Sequence, residues 1–173
     1  METILVSIVC MALIVVSTVT MTASTFQSAN KLAESWKAME RLTSDIRRTE
    51  IDVIPPVDYH GGIMDLTVVN EGQVNLQDFA NWDVIVQYPS GAGQYLAFAH
   101  DWPPGELDWA IRAIYTSDGD AEVFDPGILN PGEKAVVSLN LIPELAAGET
   151  CKLTVATGNG VISQCQVHRP PSE

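Results

Sequence analysis

The chain has 173 residues and a net charge of −13, from nine basic against 22 acidic side chains. That length holds one ordinary domain with residues to spare. A surface so acidic argues against nucleic acid or anionic lipid as the partner of the charged part. The excess is unevenly placed. Lys31, Lys37, Arg41, Arg47 and Arg48 balance Glu2, Glu34, Glu40, Asp45 and Glu50, so all of it lies beyond residue 50, where Arg112, Lys134, Lys152 and Arg169 are the bases. Solubility, or tolerance of a salty external medium, accounts for such a surface. Copies packed side by side would repel unless salt or cations screened them.

The first segment, Ile4–Ala23 (ILVSIVCMALIVVSTVTMTA), is uncharged and apolar. It has the length, about 20 residues, that a helix needs to cross a bilayer. Leu32, Trp36, Met39, Leu42 and Ile46 then recur at helical spacing between charged residues, which makes one apolar stripe on a solvated helix. No Gly or Pro precedes Pro55, so a single helix over Thr3–Arg48 is expected, roughly 70 Å long at 1.5 Å per residue. A bare membrane span needs no stripe beyond the bilayer. Ser7, Ala12, Ser17, Thr18, Thr20, Thr22 and Ala23 are small enough for close helix approach. The expectation is therefore a helix that packs against copies of itself through Ile4, Leu5, Ile8, Met11, Ala12, Val15, Val19 and Thr22. Leu32, Trp36, Met39 and Ile46 are expected to sit against the subunit's own head or a neighbouring helix. An ordinary single-span anchor with a juxtamembrane stalk is the alternative. The domain boundary is placed between residues 49 and 50, with a helix over 1–49 and a head over 50–173.

No basic residue precedes the apolar run, and five follow it, named above. A secretory signal has the opposite order. For a simple anchor the positive-inside rule would put the head in the cytoplasm. The extracellular look of the head, described next, opposes that. The expectation is a processed form that has lost a short basic leader; the alternative is a signal-anchor protein facing the cytoplasm.

The head is rich in turns and short apolar runs. Glu50–Ile54, Ile63–Asn70, Trp82–Tyr88, Gln94–His100, Trp109–Tyr115, Glu122–Phe124, Lys134–Leu141, Thr150–Thr157 and Val161–Val167 read as strands, not all of equal strength. Between them lie Pro55-Pro56, His60-Gly61-Gly62, Asn70-Glu71-Gly72, Pro89-Ser90-Gly91, Pro103-Pro104-Gly105, Ser117–Asp120, Asp125-Pro126-Gly127 and Asn130-Pro131-Gly132. About seven or eight short strands with turn signals about every 8–12 residues predict a sandwich. The fold class is α+β: a long N-terminal helix, apolar then amphipathic, followed by an all-β immunoglobulin-like sandwich. The tail Arg169–Glu173 is a polar end.

Cys10 lies in the apolar run and reads as a small hydrophobe. Cys151 and Cys165 flank the closing hairpin and are equidistant from Gly158. A turn centred there would set them face to face, and a disulfide would suit an exported domain. Two buried, unbonded thiols are the equal alternative, since register decides.

Catalysis finds little support. The chain has no G-x-S-x-G elbow, H-E-x-x-H, C-x-x-C or phosphate loop, and no N-x-S/T sequon. His60, His100 and His168 are scattered beside loops. Asp118, Asp120 and Glu122 start like a calcium loop but lack its glycine and distal Glu, so a solvated turn is the better reading. Trp82 and Trp109 fall in strands and read as core, which weakens a ligand platform built with Trp102. No catalytic, cofactor or metal site is expected.

The order of motifs resembles the archaellin and archaeal type IV pilin superfamily. The resemblance rests on the rod Met1–Arg48, on LTVVNEG (Leu66–Gly72) leading into WDVIVQY, on ILNPGEKAVVSL (Ile128–Leu139) and on VATGNGV (Val155–Val161). V-x-N-x-G and L-x-P-G-E are similar to segments of archaellins and of the archaellum periplasmic stator proteins. Leu5 stands where bacterial type IV pilins carry a glutamate, which favours the archaellin side. The resemblance implies a class III signal peptide, a structural subunit of a helical surface filament for motility, and polymerisation through the N-terminal helix. The implied partners are identical subunits in a homopolymer, a prepilin-type peptidase and membrane assembly machinery, with the membrane holding the chain before assembly. A stator-like accessory protein, or a minor pilin or adhesin, is the alternative.

Overall fold

In the computed structural model, residues 2–55, 59–60 and 62–170 are described, with backbone only for Glu2, Thr3, Leu5, Tyr59 and His60. Gly61 of the expected turn, Pro56 and the end of the tail lie outside the described residues. The chain divides into two compact units, Met1–Thr43 and Ser44–Glu173.

Helix α1 runs from Glu2 to Arg48, 47 residues without a break. Its hydroxyl side chains between Ser17 and Thr22 do not interrupt it, because each of these bonds back one turn. Ser17 donates to the Leu13 carbonyl (2.7 Å), Thr18 to Ile14 (3.0 Å), Thr20 to Val16 (3.0 Å) and Thr22 to Thr18 (2.8 Å). Arg47 and Arg48 close the last turn, where positive charge meets the negative end of the helix dipole.

The second unit is a sandwich. Its strands are β1 (Ile51–Ile54), β2 (Tyr59–His60), β3 (Ile63–Asn70), β4 (Asp83–Gln87), β5 (Gly93–Phe98), β6 (Asp108–Tyr115), β7 (Lys134–Asn140), β8 (Thr150–Ala156) and β9 (Ile162–His168). The pairing order is β1-β3-β7-β6-β5-β4-β8-β9, with β2 appended to β3. Every pairing is antiparallel except a short parallel one, Ala97↔Asp108 and Phe98↔Trp109, that joins the two layers through β5 and β6. Strand β1 also lies beside β9, so the two ends of the sheet approach each other as in a barrel. This is the α+β architecture with an immunoglobulin-like β domain.

Alternation explains the layers. On β3, Met64, Leu66, Val68 and Asn70 are buried while their neighbours are half-exposed. On β4, Val84 and Val86 face in while Asp83, Ile85 and Gln87 face out. Cys151, Leu153 and Val155 continue the inner face on β8. The core is one cluster containing Trp82 and Trp109, both almost fully buried. Burial of a large apolar side chain is worth about 1.5–3 kcal/mol, so such residues dominate the stability of the layer. Trp102 is exposed instead. It donates to Ser138 Oγ (3.0 Å) and its ring lies 5.2 Å from the Arg112 guanidinium.

Two expectations are corrected. Glu122–Phe124 is not a strand: only an isolated Tyr115↔Ala121 bridge forms there, and Val123 and Phe124 project into solvent. The closing hairpin turns about Asn159 rather than Gly158. Pairing of Ala156 with Ile162 sets Cys151 opposite Val167 and Leu153 opposite Cys165. The cysteines are therefore diagonal neighbours on one face, at a spacing of about 7–8 Å that lies at or beyond the usual limit for a bridge. Both thiols are free.

Candidate assembly surface

The apolar half of α1 presents its side chains outward. Ile4, Ile8, Met11, Val15 and Val19 are all 59% exposed or more, and Ala12 and Thr22 are exposed as well. The side chain of Leu5 lies outside the described residues. With the hydroxyls from Ser17 to Thr22 bonded to their own helix, this surface offers few polar groups to an apolar environment. That suits lipid or a bundle of like helices equally. Among the described residues it is the one helix long and apolar enough to cross a membrane. Further along, Leu32, Trp36, Met39 and Ile46 are likewise exposed, Trp36 at 69%.

The last residues of the helix, Ser44–Arg48, belong to the sandwich unit, and two turns hold them. Helix ends leave carbonyls without partners. Here the turn Asn70–Gln73 supplies donors: Gln73 N–H to the Arg48 carbonyl (2.8 Å), and Glu71 and Gly72 N–H to the Glu50 carbonyl (3.0 Å each). Gly72 packs so tightly on this segment that a Cβ there would lie 2.6 Å from Arg48 O and from Glu50 N. From the other side, Asn159 Nδ2 donates to Thr49 Oγ1 (2.7 Å), and Thr49 Oγ1 donates to the Asp45 carbonyl (2.7 Å).

Asn70 ties this end to the rest. Its amide donates to the Val74 and Leu129 carbonyls (2.9 Å each), and its Oδ1 accepts from Gly72 N–H (3.1 Å). Its main chain pairs with Glu133 and Gly132. The Glu133 carboxylate in turn accepts the Asn130 N–H (2.7 Å). V-x-N-x-G and L-x-P-G-E thus pack on each other. Thr49, Asn70, Gly72 and Asn159 were not singled out as site residues in the sequence. The signal was present in the turn motifs themselves, but their partners are distant in the chain.

The buried Cys151 and the half-buried Cys165 are both held neutral. Burial pushes Cys165 up to about 11, helped by the neighbouring Cys151 and by Asp52, and burial raises Cys151 too. Neither is a nucleophile near neutral pH. His100 packs edge-on to Phe98, and His168 Nδ1 meets Thr150 Oγ1 at 3.1 Å. The side chain of His60 lies outside the described residues. Glu122 Oε1 accepts from the Phe124 and Asp125 main-chain N–H groups (2.7 and 3.2 Å), which hold its carboxyl below the usual range. Among the described residues no group of His, Cys, Asp and Glu converges as metal ligands.

The fold matches solved archaellum structures. The periplasmic stator protein FlaG of Sulfolobus acidocaldarius matches with a TM-score of 0.52 at 14% identity, over 68% of this chain and 98% of that one. The FlaF–FlaG stator complex of the same organism gives 0.51 at 16%, over 68% and 88%. The archaeal flagellum of Methanospirillum hungatei gives 0.52 at 16%, over 96% and 93%. The chain has the fold of the archaellum proteins. A match over 96% of the chain takes in α1 as well as the sandwich, because α1 is 47 of the 173 residues. No protein-family model matches the sequence, and no curated protein does.

Proposed function

We propose that this chain is a structural, non-enzymatic subunit of an archaellum-type surface filament. Residues 1–49 form the polymerising rod and residues 50–173 the outward head. The carrying observation is α1. Forty-seven unbroken helical residues extend roughly 70 Å, more than twice the ~30 Å of bilayer hydrocarbon. Its first half is apolar on all sides, with every described Ser and Thr hydroxyl between Ser17 and Thr22 bonded to the helix itself. Such a surface is stored in a membrane and then buried among copies. A prepilin-type peptidase and a membrane assembly machinery would be its partners before export. The likeness to the Methanospirillum flagellum across both parts of the chain supports this reading.

The test is negative-stain microscopy of sheared surface filaments with an antibody against the head, and mass spectrometry of the subunit's N-terminus. Labelled filaments built from this chain are expected. A stator-like accessory role is the second reading, favoured by the match of 68% of this chain to 98% of FlaG. It takes over if wild-type filaments contain none of this chain while the membrane fraction does.

A further inference from the structure

The two layers of the sandwich differ in their outer faces. Ser138 points outward from β7 yet is buried, because Trp102 lies over it and donates to its hydroxyl. On β5, β4, β8 and β9 the outward positions stay open. Tyr95 and Ile162 are each 59% exposed, and Ile85 is 40% exposed. Register sets the outward side chains in rows. Tyr95, Ile85, Thr154 and Gln164 form the middle row. Asp83, paired with Ala156, stands in the row on one side of it, and Lys152, paired with Gln87, in the row on the other.

Charge argues what this face meets. The region that holds the whole net charge of −13 has only four bases, yet the outward side chains of these four strands include one acid, Asp83, and one base, Lys152, with His168 at the margin. The Tyr95 hydroxyl hydrogen-bonds the Asp83 carboxylate without neutralising it. A second head is repelled over acidic surface and is not repelled here. The pattern also matches itself. When a second copy is turned over about an axis along the middle row, its Asp83 row lies over the Lys152 row of the first. Asp83 of each copy then stands about one strand, ~4.8 Å, to the side of Lys152 of the other, across the ~10 Å that separates stacked sheets. An extended lysine and an aspartate bridge that gap, and the contact forms twice. Ile85 and Thr154 each meet their own counterpart.

We propose that the outer face of β5-β4-β8-β9 docks on the same face of a second copy. The inference does not rest on the filament reading. A two-fold contact closes on itself, so it joins the heads of two chains whether these stand in neighbouring filaments or in one membrane. Four strands by three rows offer on the order of 400 Å² per copy, which places the pair at the small, transient end of specific interfaces.

The test uses the full chain in detergent micelles, in a Cys10→Ser background. Ile85→Cys is oxidised with copper–phenanthroline beside Ile54→Cys, a position of matched exposure (44%) on β1 in the other layer. A disulfide between two copies at position 85 is expected at least about tenfold above that at position 54. Equal yields overturn the proposal. Charge supplies a second readout. Added to Ile85→Cys, Asp83→Lys alone and Lys152→Asp alone should each lower the yield at least about tenfold, because each variant paired with itself sets like charges together twice. Mixing the two variants should restore the yield, since both contacts then join opposite charges. No recovery in the mixture, with the far-ultraviolet circular dichroism of both variants unchanged, also overturns the proposal.

Discussion

Asn159 Nδ2 donates a 2.7 Å hydrogen bond to Thr49 Oγ1, joining the closing hairpin to the residue that follows α1. Thr49 is buried, so its oxygen has no ready substitute partner. Asn159→Ala removes this donor and also the acceptor of the Thr157 hydroxyl. A loss of about 1–3 kcal/mol is expected. In a double-mutant cycle with Thr49→Val the two losses should add to clearly more than the double variant costs. Denaturant unfolding of the full chain in detergent measures both, and strict additivity would show that the pair is not coupled.

Gly72 and Gly93 offer a matched comparison. A Cβ at Gly72 meets main-chain atoms at 2.6 Å, whereas nothing lies within 4 Å of one at Gly93. Gly72→Ala should cost about 1–3 kcal/mol through forced backbone movement. Gly93→Ala should stay within about ±0.5 kcal/mol. Equal midpoints for the two variants would remove the close approach as the reason for glycine at 72.

The thiols predict an alkaline limit. Cys165 is raised to about 11, chiefly by burial, while an unfolded thiol titrates near about 8.5. The unfolded chain therefore releases its proton first. The stability from the neutral thiol is complete below the unfolded value and is lost as pH rises through about 11. The melting temperature of the wild type should fall across that window, and Cys165→Ala should flatten the fall. Iodoacetamide at pH 8 should spare Cys151, which is buried, until the sandwich unfolds. Rapid labelling of Cys151 in the folded chain would contradict its burial.

Val15 tests the rod. If the apolar half of α1 is buried among copies, Val15→Lys costs several kcal/mol per subunit, on the order of 3–5, because an unpaired charge in a dry bundle cannot be hydrated. Filaments should vanish from the cell surface, while the sandwich keeps its near-ultraviolet circular dichroism. A lone span tolerates one lysine better, by snorkelling and local thinning of the bilayer. Normal filaments from the variant would rule out the bundle.

Much of this architecture is written locally. The uninterrupted helix follows from the absence of Gly and Pro before Pro55, and β3 spans the same residues, Ile63–Asn70, that alternation alone marks out. Periodicity reports which side chains leave water, and that preference is a property of the segment. Partnership is different. Glu122–Phe124 has the composition of a strand, yet it is a projecting loop: its pairing with β6 ends at the Tyr115↔Ala121 bridge and the Glu122 N–H bond to Ile114, after which the Glu122 carboxylate takes the Phe124 and Asp125 N–H groups into a turn. A shift of the hairpin centre by one residue separates Cys151 from Cys165, because register is set by the main-chain bonds of the turn rather than by the apolar pattern. Asn70, Gly72 and Asn159 read as turn chemistry in the chain. Their hold on Arg48, Thr49 and Glu50 depends on hydrogen bonds between segments that come together only when the sandwich closes.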